Sequence, residues 1–106
     1  MLQQLTDANF KAEAIEKGGI ALVDFSAVWC GPCRALAPQV QMLADEYADR
    51  CRFYGVDIDT AADTASEYGI MSVPTIIIFK DGQPVEKSMG LKSKAQLAKI
   101  IDGVLG

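Results

Sequence analysis

The stretch Trp29-Cys30-Gly31-Pro32-Cys33 constrains this chain more than any other. It follows an apolar run, Ile20 to Val28, and precedes a helical pattern from Arg34 to about Ala48. The two cysteines are therefore expected where a buried strand hands over to a helix. That location suits a thiolate, because the unpaired N–H groups of a helix N-terminus favour negative charge. Cys30 is expected at or just before the first turn, with Cys33 brought close by the three-residue spacing. Pro32 suits the first helical position, because its missing N–H has no intrahelical acceptor to lose. Gly31 lets the backbone bend tightly and lets a partner approach.

The main competitor for such a pair is metal binding. A structural zinc site needs four ligands. The chain has no histidine and three cysteines, so only Cys51 remains to join the pair, and no ordinary Cys/His site can be built in one monomer. The odd cysteine count also argues against a secreted disulfide framework. Half of the 106 residues are hydrophobic, enough for a core that needs no disulfide staples. The segment Met1 to Thr6 lacks a basic stretch followed by an apolar one, so no secretory leader is read. The apolar runs are too short to span a membrane. A reducing, cytoplasmic setting is the expectation, and there a C-x-x-C points to catalysis or metal rather than to structure. A net charge of -4 with no basic cluster gives no reason to expect nucleic acid. One domain, residues 1–106, acting as a monomer with no bound cofactor or metal, is expected.

Taken in order, Leu2 to Leu5 reads as a short strand. Thr6 or Asp7 is placed to cap a helix from about Ala8 to Lys17, which Gly18-Gly19 would stop. Ile20 to Val28 is apolar on both alternating faces, as in a central strand covered on both sides. In the next helix Leu36, Val40, Leu43 and Tyr47 form an amphipathic stripe, and Pro38 predicts a kink. Arg52 to Ile58 reads as a strand, followed by a short helix capped by Asp59 or Thr60 and ended by Gly69. Thr75 to Phe79 is dense in β-branched residues. Asp81-Gly82 signals a hairpin, and Val85 to Met89 returns, with Pro84 suited to an edge. Gly90 breaks that strand. Ser93 and Gln96 make a capping box for a last helix bearing Leu97, Ile100, Ile101 and Val104. The order β-α-β-α-β-α-β-β-α implies an α/β fold with a parallel portion and an antiparallel hairpin.

Dithiol–disulfide exchange is the functional reading of Cys30 and Cys33. Cys30, nearer the exposed end of the turn, is the expected attacker, and Cys33, inside the helix, the resolving thiol. Asp24 lies mid-strand in an apolar run. It is either a solvated strand residue or a buried carboxylate with a raised pKa, and with no histidine it is the best-placed internal base for Cys33. Trp29 is either core packing or an apolar wall beside Cys30. Cys51 reads as a buried small hydrophobe, with a regulatory thiol or a dimer-forming disulfide as the lesser reading. Pro74 on its own could be a plain strand-start proline.

Trp29-Cys30-Gly31-Pro32-Cys33, with Val23-Asp24-Phe25 before it and Pro38, Val73-Pro74-Thr75 and Gly90 after it, resembles the thioredoxin family over essentially the whole chain. The resemblance implies a thioredoxin fold, a central mixed sheet of about five strands flanked by four helices. It implies reduction of disulfide-containing protein substrates and recharging by a thioredoxin reductase. It makes Trp29, Gly31 and Pro32 modulators of the cysteines, and supports Asp24 as proton acceptor and donor for Cys33. It makes Pro74 a cis-proline facing the cysteines, with Val73 offering backbone groups to an extended substrate, and Trp29 and Gly90 completing the apolar docking surface. Many bacterial thioredoxins place a lysine near the buried acid; this chain has Gly55 there. Ser26 and Val28 also differ from the commonest bacterial pattern. A non-catalytic binding or assembly module using the same apolar surface is the alternative function.

Overall fold

The structure is a computed structural model that describes residues 2–106. Five strands form one sheet in the order β1-β3-β2-β4-β5. They are β1 (Gln3–Leu5), β2 (Ile20–Ser26), β3 (Arg52–Asp57), β4 (Thr75–Lys80) and β5 (Gln83–Met89). β1, β3 and β2 run parallel, and β4 and β5 are antiparallel to their neighbours. Three α-helices, α1 (Gly31–Glu46), α2 (Ala62–Glu67) and α3 (Lys94–Leu105), and a π-helical segment, Lys11–Ile15, cover the two faces. This is the expected five-stranded mixed sheet of the α/β class. Among the described residues no helix is long and apolar enough to cross a membrane.

Alternation along the strands sorts the core into two layers. Ala21, Val23 and Phe25 face the π-helical segment and α2, with Phe10, Val56, Ile77 and Phe79. Leu22 faces α1 and α3, with Leu36, Val40, Leu43, Phe53, Ile76, Ile78, Leu97 and Ile101. Asp24 follows Leu22 by two, so it is aimed at the α1 side. The stripe read from the sequence, Leu36, Val40, Leu43 and Tyr47, is buried throughout.

Several boundaries differ from expectation, each for a local reason. β2 stops at Ser26, because Ala27 to Trp29 turn out toward the helix start; Val28 is 77% exposed. α1 begins at Gly31 and ends at Glu46, and Pro38 lies inside it. The first helix is not an α-helix from Ala8. Thr6 and Asn9 bond within a turn, Thr6 N–H donating to Asn9 Oδ1 at 2.7 Å and Ala8 N–H to Thr6 Oγ1 at 3.2 Å. Only then does a wider coil form, with Glu16 N–H reaching back five residues to Lys11 O at 2.9 Å. α2 is not capped by Asp59 or Thr60. Its N-cap, Ala61, has no capping side chain. Instead Asp7, expected at the first helix, accepts from Thr64 N–H at 2.8 Å and from Thr64 Oγ1–H at 2.7 Å.

The other local signals hold. Asp81 and Gly82 take φ of +50° and +83°, the geometry a two-residue hairpin needs. Ser93 Oγ accepts from Gln96 N–H at 3.1 Å while Gln96 Oε1 accepts from Ser93 N–H at 2.9 Å, a complete capping box.

Candidate active site

Cys30 is the N-cap of α1. Its backbone is extended, and its Sγ accepts the N–H of Cys33 at 3.2 Å. No acidic side chain lies in the first turn, so nothing competes with the sulfur for the partial positive charge of the helix start. The two cysteines are joined as a disulfide with Cα atoms 5.3 Å apart. Gly31 is the first helical residue, so Pro32 falls second and not first as expected, still within the turn whose N–H groups have no intrahelical partner; both are exposed.

Exposure does not separate the two cysteines as the sequence suggested. Both are 5% exposed, because the turn folds back against Ala27, Ile58 and Val73. Their surroundings differ instead. Cys30 Sγ lies 3.7 Å from the Val73 carbonyl oxygen, on the outer side. Cys33 lines an inner cleft of about 290 Å³ with Asp24, Ser26, Pro38 and Gly55.

Asp24 is 6% exposed, and its Oδ1 has no hydrogen-bond partner. Burial alone pushes its carboxyl up to about 6, since a low-dielectric site penalises the charged form. Among the described residues, those lining the cleft supply no cation to offset this. Asp24 is thus the buried carboxylate of the two readings, and not a solvated strand residue.

On the outer side the Val73–Pro74 peptide is cis, and Pro74 is buried. Pro74 O accepts from Gly90 N–H at 2.9 Å, which ties the start of β4 to the end of β5. Gly90 has φ of +86° with open space where a Cβ would stand, so conformation, not crowding, calls for glycine there. Trp29 is 64% exposed, and its Nε1–H donates to Asp59 Oδ2 at 2.8 Å. It is therefore not core packing. Asp59 was legible only as a helix cap; no sequence signal pairs it with an indole thirty residues away. Cys51 stays apart, buried in the α1–α3 layer with its thiol pushed up to about 11 by burial, as a small hydrophobe would be.

A disulfide whose first sulfur, that of Cys30, caps a helix, beside the Val73–Pro74 loop and a buried carboxylate, is the site of a thiol–disulfide oxidoreductase. The sequence profile described as Thioredoxin matches residues 1–103. The chain is similar to thioredoxins of Staphylococcus aureus, those of strains Mu50, MW2 and N315 among them, each 43% identical over 99 residues that make up 93% of either chain. The chain belongs to the thioredoxin family. It reduces protein disulfides through the Cys30–Cys33 pair, and a binding module without turnover is not favoured. Membership implies disulfide substrates and a reductase partner.

Proposed function

We propose that Cys30 is the attacking thiolate, Cys33 the resolving thiol, and Asp24 the acceptor of its proton. One observation carries this division. Cys30 Sγ takes the N–H of Cys33 at the helix start, while Cys33 is the cysteine that lines the Asp24 cleft. In the reduced protein the helix terminus favours the Cys30 thiolate. It attacks one sulfur of a substrate disulfide; that S–S bond breaks, and the other substrate sulfur leaves as a thiolate. Cys33 then gives its proton to Asp24 and attacks Cys30 Sγ. The second substrate sulfur leaves, and the substrate has gained the two electrons that the cysteine pair has lost. A carboxylate near 6 is a better base for a thiol than an ordinary one, yet is mostly ionised at neutral pH.

Substrate docks on Trp29, Val73, Pro74 and Gly90. The half-buried Val73 leaves its backbone beside the sulfur, where an extended chain can pair with it. Gly31 and Pro32 keep the turn narrow without adding charge. Residues 1–106 act as one domain, as a monomer in the cytoplasm, and a thioredoxin reductase restores the dithiol. Insulin reduction driven by NADPH and thioredoxin reductase tests the cycle. Turnover in wild type, none in Cys30→Ser, and a trapped mixed disulfide in Cys33→Ser are expected. Faster alkylation of Cys33 than of Cys30 in the reduced protein would reverse the assignment.

A further inference from the structure

Gln4 lies on β1 and has no role among the residues assigned above. Gln4, Gly55 and Asp24 form one row across β1, β3 and β2, so all three face α1. Gly55 has no side chain to separate the other two. A Cβ on Gly55 would stand 2.9 Å from Gln4 Cδ and nearer still to Nε2, so the Gln4 carboxamide lies directly on the bare Gly55 backbone. Gln4 lines the Asp24 cleft and also an outer cavity of about 180 Å³ that reaches Arg34 and Asp57. It is thus part of the wall between the Asp24 cleft and this second cavity, one side of a cleft that also opens to solvent elsewhere.

We propose that Gln4 is a positioning residue for proton transfer at Asp24: its carboxamide, laid across Gly55, closes the outer side of the cleft and limits the water that reaches the carboxylate. The inference rests on the reading of Asp24 as proton acceptor for Cys33. Around Asp24, α1 presents Cys33, β3 presents Gly55, β1 presents Gln4 and β4 presents Ile76. Arg34 and Asp57 line the outer cavity and not the Asp24 cleft. The Gln4 amide carries no charge, and it makes no hydrogen bond to Asp24 Oδ1. Its effect comes through exclusion of water, the same cause that makes Asp24 a weak acid.

Two variants separate this from a structural role. Gln4 is exposed on a three-residue edge strand, so neither is expected to unfold the protein. Gln4→Ala admits water, and the Asp24 midpoint should fall by about one unit, a tenfold change in its protonation ratio at fixed pH. Gln4→Glu sets a second carboxylate beside it, and the midpoint should rise. The midpoint is read from the carboxyl-carbon NMR titration of Asp24 in the reduced full chain. The pH dependence of thionitrobenzoate release from the Cys30 mixed disulfide, which reports the Cys33 step, should move with it. A Gln4→Ala midpoint that stays within about 0.2 unit of wild type, whatever Gln4→Glu does, or midpoints that shift the same way in both variants, overturn the proposal. Asp24→Asn isolates the underlying reading. If it releases thionitrobenzoate as wild type does at every pH, the proton-acceptor role falls, while the Gln4 titrations still decide whether Gln4 controls the carboxylate.

Discussion

The two faces of the sheet are built from alternate residues of the same strands and do opposite things. Against the π-helical segment and α2 sits an aromatic layer. Phe10, Tyr68 and Phe79 meet with ring centroids 5.3 to 5.9 Å apart, two of the pairs edge to face. The edge of this layer takes in Arg52, whose Nη2 is buried without a partner and whose Nε–H donates to Tyr54 Oη at 3.1 Å; among the described residues no acid is buried there. Against α1 the same strand offers Leu22 and then Asp24, an unpartnered acid beside a cleft. Aromatic packing of the first kind stabilises; a buried carboxylate of the second kind costs stability once ionised. The cleft that Cys33 and Asp24 share lies on the α1 face, the open face; the aromatic face, the closed one, carries a cavity of about 340 Å³ beside α2 whose lining holds no cysteine and no acid.

The largest expected effect confines function to the open face. Cys30→Ser should abolish insulin reduction while leaving the stability of the reduced protein within about 1 kcal/mol, because serine is itself a good N-cap. A variant that unfolds, or one that still turns over, would break the separation. Next comes the closed face. Phe79 is fully buried, and Phe79→Ala should cost about 3–5 kcal/mol in denaturant unfolding, with residual activity wherever the protein stays folded.

Asp24→Ala tests the cost of the acid through pH. The folded carboxyl sits near 6, against about 3.9 in an unfolded chain. Between these values the native state holds the extra proton, so wild-type stability falls as pH rises through that window. Above it the buried charge is a standing cost. The stability of Asp24→Ala relative to wild type should therefore improve from pH 4 to pH 8 by up to about 3 kcal/mol. The cavity left by the side chain contributes equally at both pH values and cancels. A pH-independent difference would mean that the carboxylate is not penalised. The smallest effect belongs to a surface contact that joins the closed face to the N-terminus. Asp7→Ala should speed amide exchange at Thr64 and lower the unfolding midpoint slightly, because α2 has no other side-chain cap. Unchanged exchange at Thr64 would show that the contact does not hold α2.

What could be read from the sequence was whatever depends on near neighbours. The Cys30 cap, the Leu36–Val40–Leu43–Tyr47 stripe, the Asp81-Gly82 turn and the Ser93–Gln96 box each need only a few consecutive residues and the helix or strand period. Together with the order of elements they implied an α/β fold with a parallel portion and a hairpin; the five-stranded mixed sheet followed from the resemblance to the thioredoxin family. The rest needed the chain folded. Asp7 caps α2 across 57 residues, Trp29 finds Asp59 across 30, and Gln4 reaches Gly55 through strand pairing alone. The equal burial of Cys30 and Cys33 was also out of reach, since Ile58 and Val73 close over both from distant loops. Sequence by itself determined most of the local structures and singled out the cysteine pair, because periodicity and capping are set by residues a turn apart; the Thr6–Asn9 turn and the π-helical segment are the exceptions. Only the tertiary structure decided which side chains from different crossovers meet, and so how dry Asp24 is and what stands between it and water.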